Sequence, residues 1–342
     1  MNGLSEILKI ENLELGYMGS DYAEVLVSGI NARAIEGEMI ALLGANGTGK
    51  STLLRTILGI HPCSKGNVFL RNKAVSAYRP SELSRFIGFV GTSSSFPGNL
   101  SVRELVSLGR FPYTNWIGKM KKSDYDVVNR SIENVGLGRL SEKKLDEMSD
   151  GERQRANIAR VLAQDSDILL LDEPTAFLDL PNRYELIYLL KNIISIEKKT
   201  VIYSTHDLNI AIGESDKIWL LNQGRLFDGA PEDLMLNGNF SNQFTNTRIK
   251  FDNASGSYIY PKESKIRVSV YGRGEVLDLT RRALSRISII ADTEDQGESV
   301  CKILVSDADS QHKWTLVHQN TEHIFFSIYD LIYFLKTGLF SA

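Results

Sequence analysis

The chain has 342 residues, a length typical of two or three domains. Its 42% hydrophobic and 24% charged residues are typical of a globular protein and exclude a disordered or fibrous chain. Its formal net charge is −3. The small net charge argues against a nucleic-acid-binding protein that uses a broad basic surface. The two cysteines, Cys63 and Cys301, are too few for a disulfide framework and indicate a reducing compartment such as the cytoplasm.

The sequence gives no sign of a segment that enters or crosses a membrane. Residues 1–19 include acidic side chains and lack a long apolar core, so we expect no secretory signal there. No run of about 18 apolar residues occurs anywhere in the sequence. If the protein acts at a membrane, a partner protein must hold it there.

Predicted strands and helices alternate through the first two thirds of the chain. Residues 6–43 combine alternating and continuous apolar segments and end in the buried strand MIALLG. Because the later strands are apolar throughout, we expect a parallel α/β sheet. The elements predicted after MIALLG are a helix over 50–60, the strands NVFL and FIGFV, a helical stretch over 102–140, a helix that starts after Gly151, the strand ILLL before Asp172, a helix over 182–196, the strand TVIYST, a helix from about Leu208, and a hairpin that turns at Gln223 and Gly224.

The last third of the chain differs in composition from the part before it. Residues 241–264 are polar and rich in turn residues, and we interpret them as a linker. Residues 265–342 contain the strand candidates IRVSVYG, ISIIAD, CKILVSD and KWTLVHQ, a helix TRRALSRI, and a tail SIYDLIYFLKTGLF with helical spacing. We expect a small second α/β domain with the tail helix packed on its sheet. Its three histidines have no acidic partners at fixed spacing, so we expect no metal site at His312, His318 and His323.

The stretch GANGTGKST matches the pattern G-x-x-x-x-G-K-[ST] and lies between a predicted strand and a predicted helix. Its glycines let backbone N–H groups face phosphates, and the helix start adds its positive end. We expect Lys50 to reach the β- and γ-phosphates of a nucleotide and Ser51 to ligate Mg²⁺. The predicted nucleotide-binding residues of this loop are Gly44, Ala45, Asn46, Gly47, Thr48, Gly49, Lys50, Ser51 and Thr52.

Two carboxylates, Asp172 and Glu173, follow the apolar strand ILLL. At the carboxyl edge of the sheet, beside the phosphate loop, Asp172 is suited to hold the Mg²⁺ shell and Glu173 to polarise the attacking water as general base. A third strand ends just before His206, which we expect to reach the γ-phosphate. The structural alternatives are a solvated loop or helix cap for the acidic pair and a purely structural histidine.

The order of GANGTGKST, MSDGERQR, ILLLDEPT and STHD within residues 6–240 resembles that of ATP-binding-cassette (ABC) ATPases. The resemblance implies an α/β P-loop NTPase domain over residues 1–240: a RecA-like core with an antiparallel β subdomain and a helical subdomain over about 93–165. It implies ATP and Mg²⁺ as cofactors. It also implies that Tyr17, or less favourably Tyr22, stacks on adenine, and that Asp179 belongs to a loop that communicates across a dimer.

In the resembling family, the motif at MSDGERQR completes the nucleotide site of the other protomer in a head-to-tail homodimer. The resemblance therefore implies that Ser149, Gly151 and Glu152 contact the ATP of the partner protomer. A hydroxyl, a glycine N–H and a helix start together suit a γ-phosphate. A simple capped helix start is the structural alternative, but it explains the serine alone.

The sequence departs from the family pattern at two places. Asp150 and Glu152 replace a glycine and a glutamine, so we expect their side chains to point away from the triphosphate or to contact Arg153 or Arg155. Thr92 falls where the family has a glutamine that links the nucleotide to the transporter. Its shorter side chain would contribute to the Mg²⁺ shell only through water.

The segment SVRELVSLGRFPYTNW, residues 101–116, resembles the branch of this family that imports iron siderophores, haem and vitamin B12. Its Gly109, Phe111, Tyr113 and Trp116 would then belong to the region that docks a permease, or else to ordinary packing. The resemblance implies import through separate integral-membrane permease subunits, driven by ATP-dependent closure of the cassette dimer, with a substrate-binding protein as an indirect partner. The expected location is cytoplasmic, peripheral on the inner face of the plasma membrane.

By analogy with other importers, the domain over residues 265–342 would regulate the ATPase or help it to dimerise. Two alternatives stay open: a soluble cassette ATPase without a permease, and a nucleotide-gated regulatory module that barely hydrolyses ATP. Thr92 and the extra domain favour the regulatory module, whereas Glu173 and His206 disfavour it.

Overall fold

The computed structural model describes residues 5–18, 23–92, 96–97, 99–114, 118–241, 248–253, 256–260, 266–292, 299–308 and 311–339. Contacts within the chain divide it into two compact units. The first comprises Met1–Thr247 and Phe251–Tyr258, and the second comprises Arg248–Lys250 and Ile259–Ala342. Among the described residues, no helix combines the length and the apolar character needed to cross a bilayer.

The described part of the first unit alternates strands with helices. Its strands are β1 (Glu6–Met18), β2 (Ala23–Ile35), β3 (Met39–Gly44), β4 (Lys65–Leu70), β5 (Lys73–Ala74), β6 (Ile87–Val90), β7 (Ile168–Leu171), β8 (Thr200–Thr205), β9 (Lys217–Asn222) and β10 (Arg225–Gly229). Its helices are α1 (Lys50–Ile57), α2 (Pro80–Leu83), α3 (Val102–Ser107), α4 (Lys122–Asn134), α5 (Asp150–Ala163), α6 (Leu180–Glu197), α7 (Leu208–Glu214) and α8 (Pro231–Leu236).

Strands β3, β7 and β8 lie inside a six-stranded sheet of order β10-β9-β3-β8-β7-β6. All neighbours in this sheet are parallel except β9 and β10, which form the predicted hairpin. Every residue of β3, β7 and β8 is buried. Burial on both faces explains why these strands are apolar throughout instead of alternating. The expected parallel α/β sheet is confirmed.

The two faces of this sheet belong to two different cores. Ile40 and Leu42 of β3 contribute to one core, whereas Ala41 and Leu43 contribute to the other. The first core includes α1 and an antiparallel sheet of order β2-β1-β4-β5, and the second includes α3 to α7. This layering places the loop between β3 and α1 at the carboxyl edge of the parallel sheet, where α/β proteins bind ligands.

The predicted helical stretch over residues 102–140 consists of α3 and α4 separated by 3₁₀ turns at Leu108–Tyr113. Pro112 lies within these turns and cannot donate the backbone hydrogen bond that an α-helix requires. Gly109 touches α5 so closely that a Cβ would lie 2.1 Å from the carbonyl oxygen of Arg160. Gly109 therefore serves packing within the unit, whereas Phe111 is 75% exposed. Trp116 lies outside the described residues.

A buried ion pair joins these 3₁₀ turns to α4 and α5. Arg110 donates to Asp124 through Nε (3.0 Å) and Nη2 (2.9 Å) and to the carbonyl oxygen of Ala163 through Nη1 (2.9 Å). The backbone N–H of Lys121 also donates to Asp124 (2.8 Å). This N–H and the Arg110 guanidinium hold the pKa of Asp124 below its usual value, against the opposing effect of burial.

The segment interpreted as a linker contains two paired strands, β11 (Lys250–Asp252) and β12 (Ser257–Ile259). In the first unit, the Phe251 ring stacks on the Phe240 ring with centroids 4.9 Å apart. The Tyr258 hydroxyl donates to the carbonyl oxygen of Phe240 (3.1 Å). The sequence did not reveal these strands, because three residues are too few to show an alternating pattern.

The second unit is a mixed α/β sheet with two helices. Its elements are β13 (Ile266–Tyr271), α9 (Gly274–Arg286), β14 (Ile289–Asp292), β15 (Lys302–Ala308), β16 (Gln311–His318), β17 (Thr321–Phe325) and α10 (Ile328–Phe334), followed by a π-helical turn, Leu335–Leu339. The strand order is β14-β13-β15-β16-β17, parallel over the first three strands and antiparallel over the last three. Strand β17 was not predicted, and it contains His323, whose ring lies 4.5 Å from the Phe334 ring between centroids.

Replacing Asp124 by alanine should lower the free energy of unfolding by about 3–5 kcal/mol, because the buried Arg110 would lose its counter-ion. Since the pKa of Asp124 is lowered in the folded state, its contribution should be present above the unfolded pKa of about 4 and be lost as the pH falls through the folded value. Urea unfolding between pH 3 and pH 7 measures both effects. The control is Asp126→Ala, an exposed aspartate on the same helix. Equal stability of the two variants at neutral pH would contradict this account of the ion pair.

Candidate functional site

The loop between β3 and α1 has a backbone that only glycine tolerates easily. Gly47 and Gly49 have φ values of +80° and +100°, in the left-handed region. Gly44 has no room for a side chain, because a Cβ would lie 2.9 Å from the carbonyl oxygen of Leu221. Among the described residues, no side chain caps the start of α1 and no acidic residue lies in its first turn. The positive end of this helix therefore faces the loop without an acidic residue of its own first turn to compete for it.

Lys50 is buried in this loop. Its ammonium group donates to the carbonyl oxygens of Gly44 (2.8 Å) and Ala45 (3.3 Å) and lies 3.7 Å from Glu173 Oε1. A cavity of about 510 Å³ opens beside it. The residues that line this cavity are Leu26, Asn46, Gly47, Gly49, Lys50, Ser51, Thr52 and Glu173.

Ser204, a residue that the sequence did not single out, contacts the carboxylate of Asp172 and the backbone of Glu173. Its hydroxyl donates to Asp172 Oδ1 (2.6 Å) and accepts from the backbone N–H of Glu173 (2.8 Å). The pairing of strands β7 and β8 ends with Leu171 opposite Tyr203. The residues that follow, Asp172 and Ser204, therefore lie next to each other. Ser204 is fully buried, so these two contacts are sheltered from water.

Glu173 bridges two basic residues. Its Oε1 faces Lys50, and its Oε2 accepts from His206 Nδ1 (2.9 Å). Its φ of +50° is unusual for a residue with a side chain and adds a strain of order 1 kcal/mol, which the bond to Ser204 helps to offset. The His206 side chain is 63% exposed, so its imidazole lies between Glu173 and solvent.

Helix α5 begins at Asp150, two residues earlier than predicted, and Ser149 caps it. The Ser149 hydroxyl accepts from the backbone N–H of Glu152 (3.3 Å), while Glu152 Oε2 accepts from the backbone N–H of Ser149 (3.0 Å). This reciprocal pair uses the acceptor side of the hydroxyl and leaves its proton able to donate to an anion.

The two acidic side chains in this motif have different partners. Asp150 pairs with Arg153, as expected. Glu152 pairs with Lys143, at 3.1 Å. The backbone N–H of Ser149 and the Lys143 ammonium hold the pKa of Glu152 below its usual value. Both negative charges are therefore compensated within the chain.

Thr92 lines a second cavity, of about 310 Å³, together with Glu173. One face of α5 also lines it, through Asp150, Arg153 and Asn157 at helical spacing. Asn157 is 8% exposed, and its Oδ1 has no hydrogen-bond partner among the described residues. Asn157 was not predicted, although a polar residue inside the apolar stripe of a helix is a signal that its side chain faces a polar space.

The structure does not bring all predicted residues to one place. Among the described residues that line the cavity at Lys50, none belongs to the stretch from Ser149 to Glu152. Asp179 caps α6 by accepting from the backbone N–H of Asn182 (3.1 Å), and nearby Phe177 is exposed with a φ of +64°. The side chain of Tyr17 and the whole of Tyr22 lie outside the described residues.

A groove of about 560 Å³ lies at the 3₁₀ turns, apart from both cavities. Its apolar lining includes Leu108, Phe111 and Pro112, and the first two side chains are exposed. Exposed apolar side chains that share a concave surface are typical of a protein-docking site.

Comparisons with known proteins agree with the resemblance found in the sequence. The family model described as ABC transporter matches residues 27–176, and the model described as iron ABC transporter C-terminal domain matches residues 265–336. An uncharacterised ABC transporter ATP-binding protein of Methanocaldococcus jannaschii is 38% identical over 230 residues, which are 67% of this chain and 78% of that protein. The iron(3+)-hydroxamate import ATP-binding protein FhuC of Bacillus subtilis is 34% identical over 224 residues, which are 66% of this chain and 80% of that protein.

The fold is also similar to a solved dimeric ATP-binding cassette in a post-hydrolysis state, bound to ADP and Pi. The two sequences are 27% identical and the TM-score is 0.58. The matched region covers 66% of this chain and 99% of that chain. This likeness agrees with the P-loop NTPase fold expected from the sequence. The chain therefore belongs to the ABC transporter family and is an ATP-binding subunit with ATPase activity.

Proposed function

We propose that the chain drives import of a ferric chelate of the siderophore class through a separate permease, by hydrolysing ATP between two cassettes. The observation that carries the catalytic part is Glu173, held between Lys50 of the phosphate loop and His206. The iron-type C-terminal domain and the likeness to an iron(3+)-hydroxamate import subunit support the substrate class. Haem and corrinoid stay the alternative substrates.

In this proposal Glu173 is the general base that polarises the attacking water. Its carboxylate is oriented in advance, because the backbone is tied to Ser204 and Oε2 to His206. In this proposal the exposed imidazole contacts the γ-phosphate while it keeps its bond to Glu173. Lys50 would exchange the neutral carbonyl oxygens of the loop for the β- and γ-phosphates, whose negative charge makes the stronger hydrogen bonds.

In this proposal the Ser51 hydroxyl and the Asp172 carboxylate hold Mg²⁺, since hard oxygen ligands are those that Mg²⁺ prefers. Ser204 engages Asp172 Oδ1, which leaves Oδ2 for the cation or its water shell. When bound, Mg²⁺ would neutralise charge on the phosphate oxygens. Thr92 lines the second cavity and is not among the described residues that line the cavity at Lys50. A contribution of Thr92 to the Mg²⁺ shell, through water, stays a prediction.

We further propose that Ser149 and Gly151 contact the nucleotide of a second protomer. The start of α5 is absent from the described lining of the cavity at Lys50, so Ser149 has no evident role toward its own phosphate loop. Its free hydroxyl proton and the positive end of α5 suit a γ-phosphate. In this proposal Glu152 does not touch the phosphate but fixes the orientation of Ser149 through the capping pair. Asp179 would transmit closure between the protomers.

The groove at Leu108, Phe111 and Pro112 is our proposed docking site for the permease, which would hold the chain on the cytoplasmic face of the membrane. The buried pair Arg110 and Asp124 fixes the backbone of this segment, so the exposed side chains are presented on a rigid support. A substrate-binding protein would then be a partner only through the permease.

Glu173→Gln should convert the chain from a monomer without nucleotide into a dimer with ATP and Mg²⁺, because blocked hydrolysis traps the closed state. Adding Ser149→Arg should abolish this ATP-dependent dimer while nucleotide still binds to each phosphate loop. Light scattering measures the mass, and a fluorescent ATP analogue measures binding. If the double variant still forms the ATP-dependent dimer, the proposal that Ser149 contributes to the partner's nucleotide site is contradicted.

Ser204→Ala should lower kcat by about tenfold to a hundredfold, since misplacing a catalytic group by about 1 Å has effects of this size. It should lower the free energy of unfolding by only about 1–3 kcal/mol, the effect of losing buried hydrogen bonds. Steady-state ATP hydrolysis and urea unfolding measure the two effects. Ser195→Ala, an exposed serine on α6, is the matched control. A normal kcat in Ser204→Ala would remove Ser204 from the proposed mechanism.

Phe111→Asp should prevent co-purification of the chain with its integral-membrane subunits, because an ion in the groove would be buried in the interface. The isolated variant should still bind ATP, since the groove lies apart from the cavity at Lys50. The control is Tyr125→Asp, another exposed aromatic residue of the helical segment. Loss of the membrane subunits in both variants, or in neither, would argue against this docking site.

A further inference from the structure

A side chain on α6 joins the two segments that follow β7 and β8. Arg183 donates through Nε to the carbonyl oxygen of Leu178 (2.8 Å) and through Nη1 to Asp207 Oδ2 (3.4 Å). Leu178 belongs to the segment that starts at Glu173. Asp207 directly follows His206 in the chain. Because a guanidinium is planar and holds its donors in a fixed fork, Arg183 fixes the separation of the two segments.

These contacts close a ring that contains the proposed general base. The chain runs from Glu173 to Leu178, and Arg183 bridges Leu178 to the carboxylate of Asp207. The ring closes where His206 Nδ1 lies 2.9 Å from Glu173 Oε2. A displacement of either segment would therefore change the contact between the imidazole and the Glu173 carboxylate.

Asp207 is itself held at the start of α7. Its Oδ1 accepts from the backbone N–H of Ile210 (3.2 Å), and its own backbone N–H donates to the Thr205 hydroxyl (3.0 Å). The side chains of Arg183 and Asp207 are 34% and 19% exposed, so water screens this ion pair only in part. The position of His206 is therefore tied to α6 and α7 through its neighbour in the chain.

The segment that follows β7 has a backbone that depends on surrounding contacts. Glu173 and Phe177 have φ values of +50° and +64°, in the left-handed region. Residues with side chains keep such conformations only where neighbouring groups hold them. The bond from Arg183 to the Leu178 carbonyl is one such contact, and Asp179, the next residue, caps α6. A shift of Asp179 would therefore reach the guanidinium within one residue.

We propose that Arg183 is a positioning residue that makes the placement of His206 depend on the loop at Asp179. This inference rests on the proposed function, in which Asp179 transmits closure between protomers and His206 contacts the γ-phosphate. When a second protomer displaces the loop, Arg183 carries the displacement to Asp207 and so to the imidazole beside Glu173. Contact between protomers then adjusts the groups that act on the attacking water, in addition to completing the phosphate site.

Replacing Arg183 by methionine in the full chain tests this proposal. Arg183→Met should lower kcat by about tenfold to a hundredfold and leave KM for ATP unchanged, because a misplaced group slows the chemical step and not binding. The matched control is Lys191→Met, which should keep the wild-type kcat. Lys191 lies about two turns further along α6 and joins the same two helices through Glu214 of α7 (2.5 Å). A normal kcat in Arg183→Met, or an equal loss in both variants, would overturn the proposal.

Asp207→Asn removes the same ion pair from its other side. The amide oxygen can still accept from the Ile210 N–H and cap α7, but the amide nitrogen would face Arg183 as a second donor. We expect the same loss of kcat as in Arg183→Met. The double variant should lose no more than either single variant, since both changes remove one contact. Losses that multiply in the double variant would overturn the proposal.

The link to the loop at Asp179 has a test of its own. Asp179→Ala should lower kcat in the wild-type background and have a much smaller effect in the Arg183→Met background, because its influence on His206 passes through Arg183. An effect of Asp179→Ala that is equally large in both backgrounds would overturn the link.

Dimer formation distinguishes this inference from the function on which it rests. In the Glu173→Gln background, Arg183→Met should still form the ATP-dependent dimer, because Arg183 acts after the protomers meet. Loss of the dimer on adding Arg183→Met would overturn the inference, since Arg183 would then be needed for closure itself. Absence of the dimer in Glu173→Gln alone would contradict the proposed function, and the kcat comparison would still decide the role of Arg183.

Discussion

Burial of β3, β7 and β8 on both faces is the constraint on which the rest of this protein depends. A strand buried on both sides has no place for a charged side chain, so charged residues appear only beyond the ends of these strands. Since these strands are parallel and adjacent, their ends meet at one edge of the sheet. The phosphate loop, the acidic pair and His206 are brought together by this constraint.

Ser204 and Thr205 are polar residues of β8 that are nevertheless buried. Ser204 is stable there because its hydroxyl both donates and accepts, which satisfies a carboxylate and a backbone N–H at once. This contact converts a generic strand edge into a site with fixed geometry. It also explains how Glu173 can hold a left-handed backbone conformation while its two oxygens face Lys50 and His206.

Local patterns made the phosphate loop and the carboxylates predictable, because their signals lie within a few residues along the chain. The partner of Asp172 was not predictable, since it depends on the register between β7 and β8, about thirty residues apart. For Glu152 the sequence left two outcomes open, a side chain that points away from the triphosphate or one that contacts Arg153 or Arg155. In the structure Glu152 pairs with Lys143, on the segment before the helix. The short strands β11 and β12 were missed because so few residues carry no periodicity.

The 3₁₀ turns at Leu108–Tyr113 also show a limit of prediction from the sequence. Gly109 and Phe111 are two residues apart, and the sequence offered packing and docking as alternatives for both. The structure separates them, because Gly109 abuts the backbone of α5 while Phe111 faces outward in the groove. Such a distinction depends on which side of a 3₁₀ turn each residue occupies, and Pro112 makes that turn irregular.

The central claim is that two chains share each ATP site, and mixing two inactive variants tests it most directly. Lys50→Ala lacks a phosphate-loop lysine, and Ser149→Arg lacks the group donated to the partner. A mixed dimer contains one site with both groups intact, so an equal mixture should recover about a quarter of the wild-type ATPase rate, since half of randomly formed dimers are mixed and each has one intact site of two. A mixture no more active than its two components would contradict the claim.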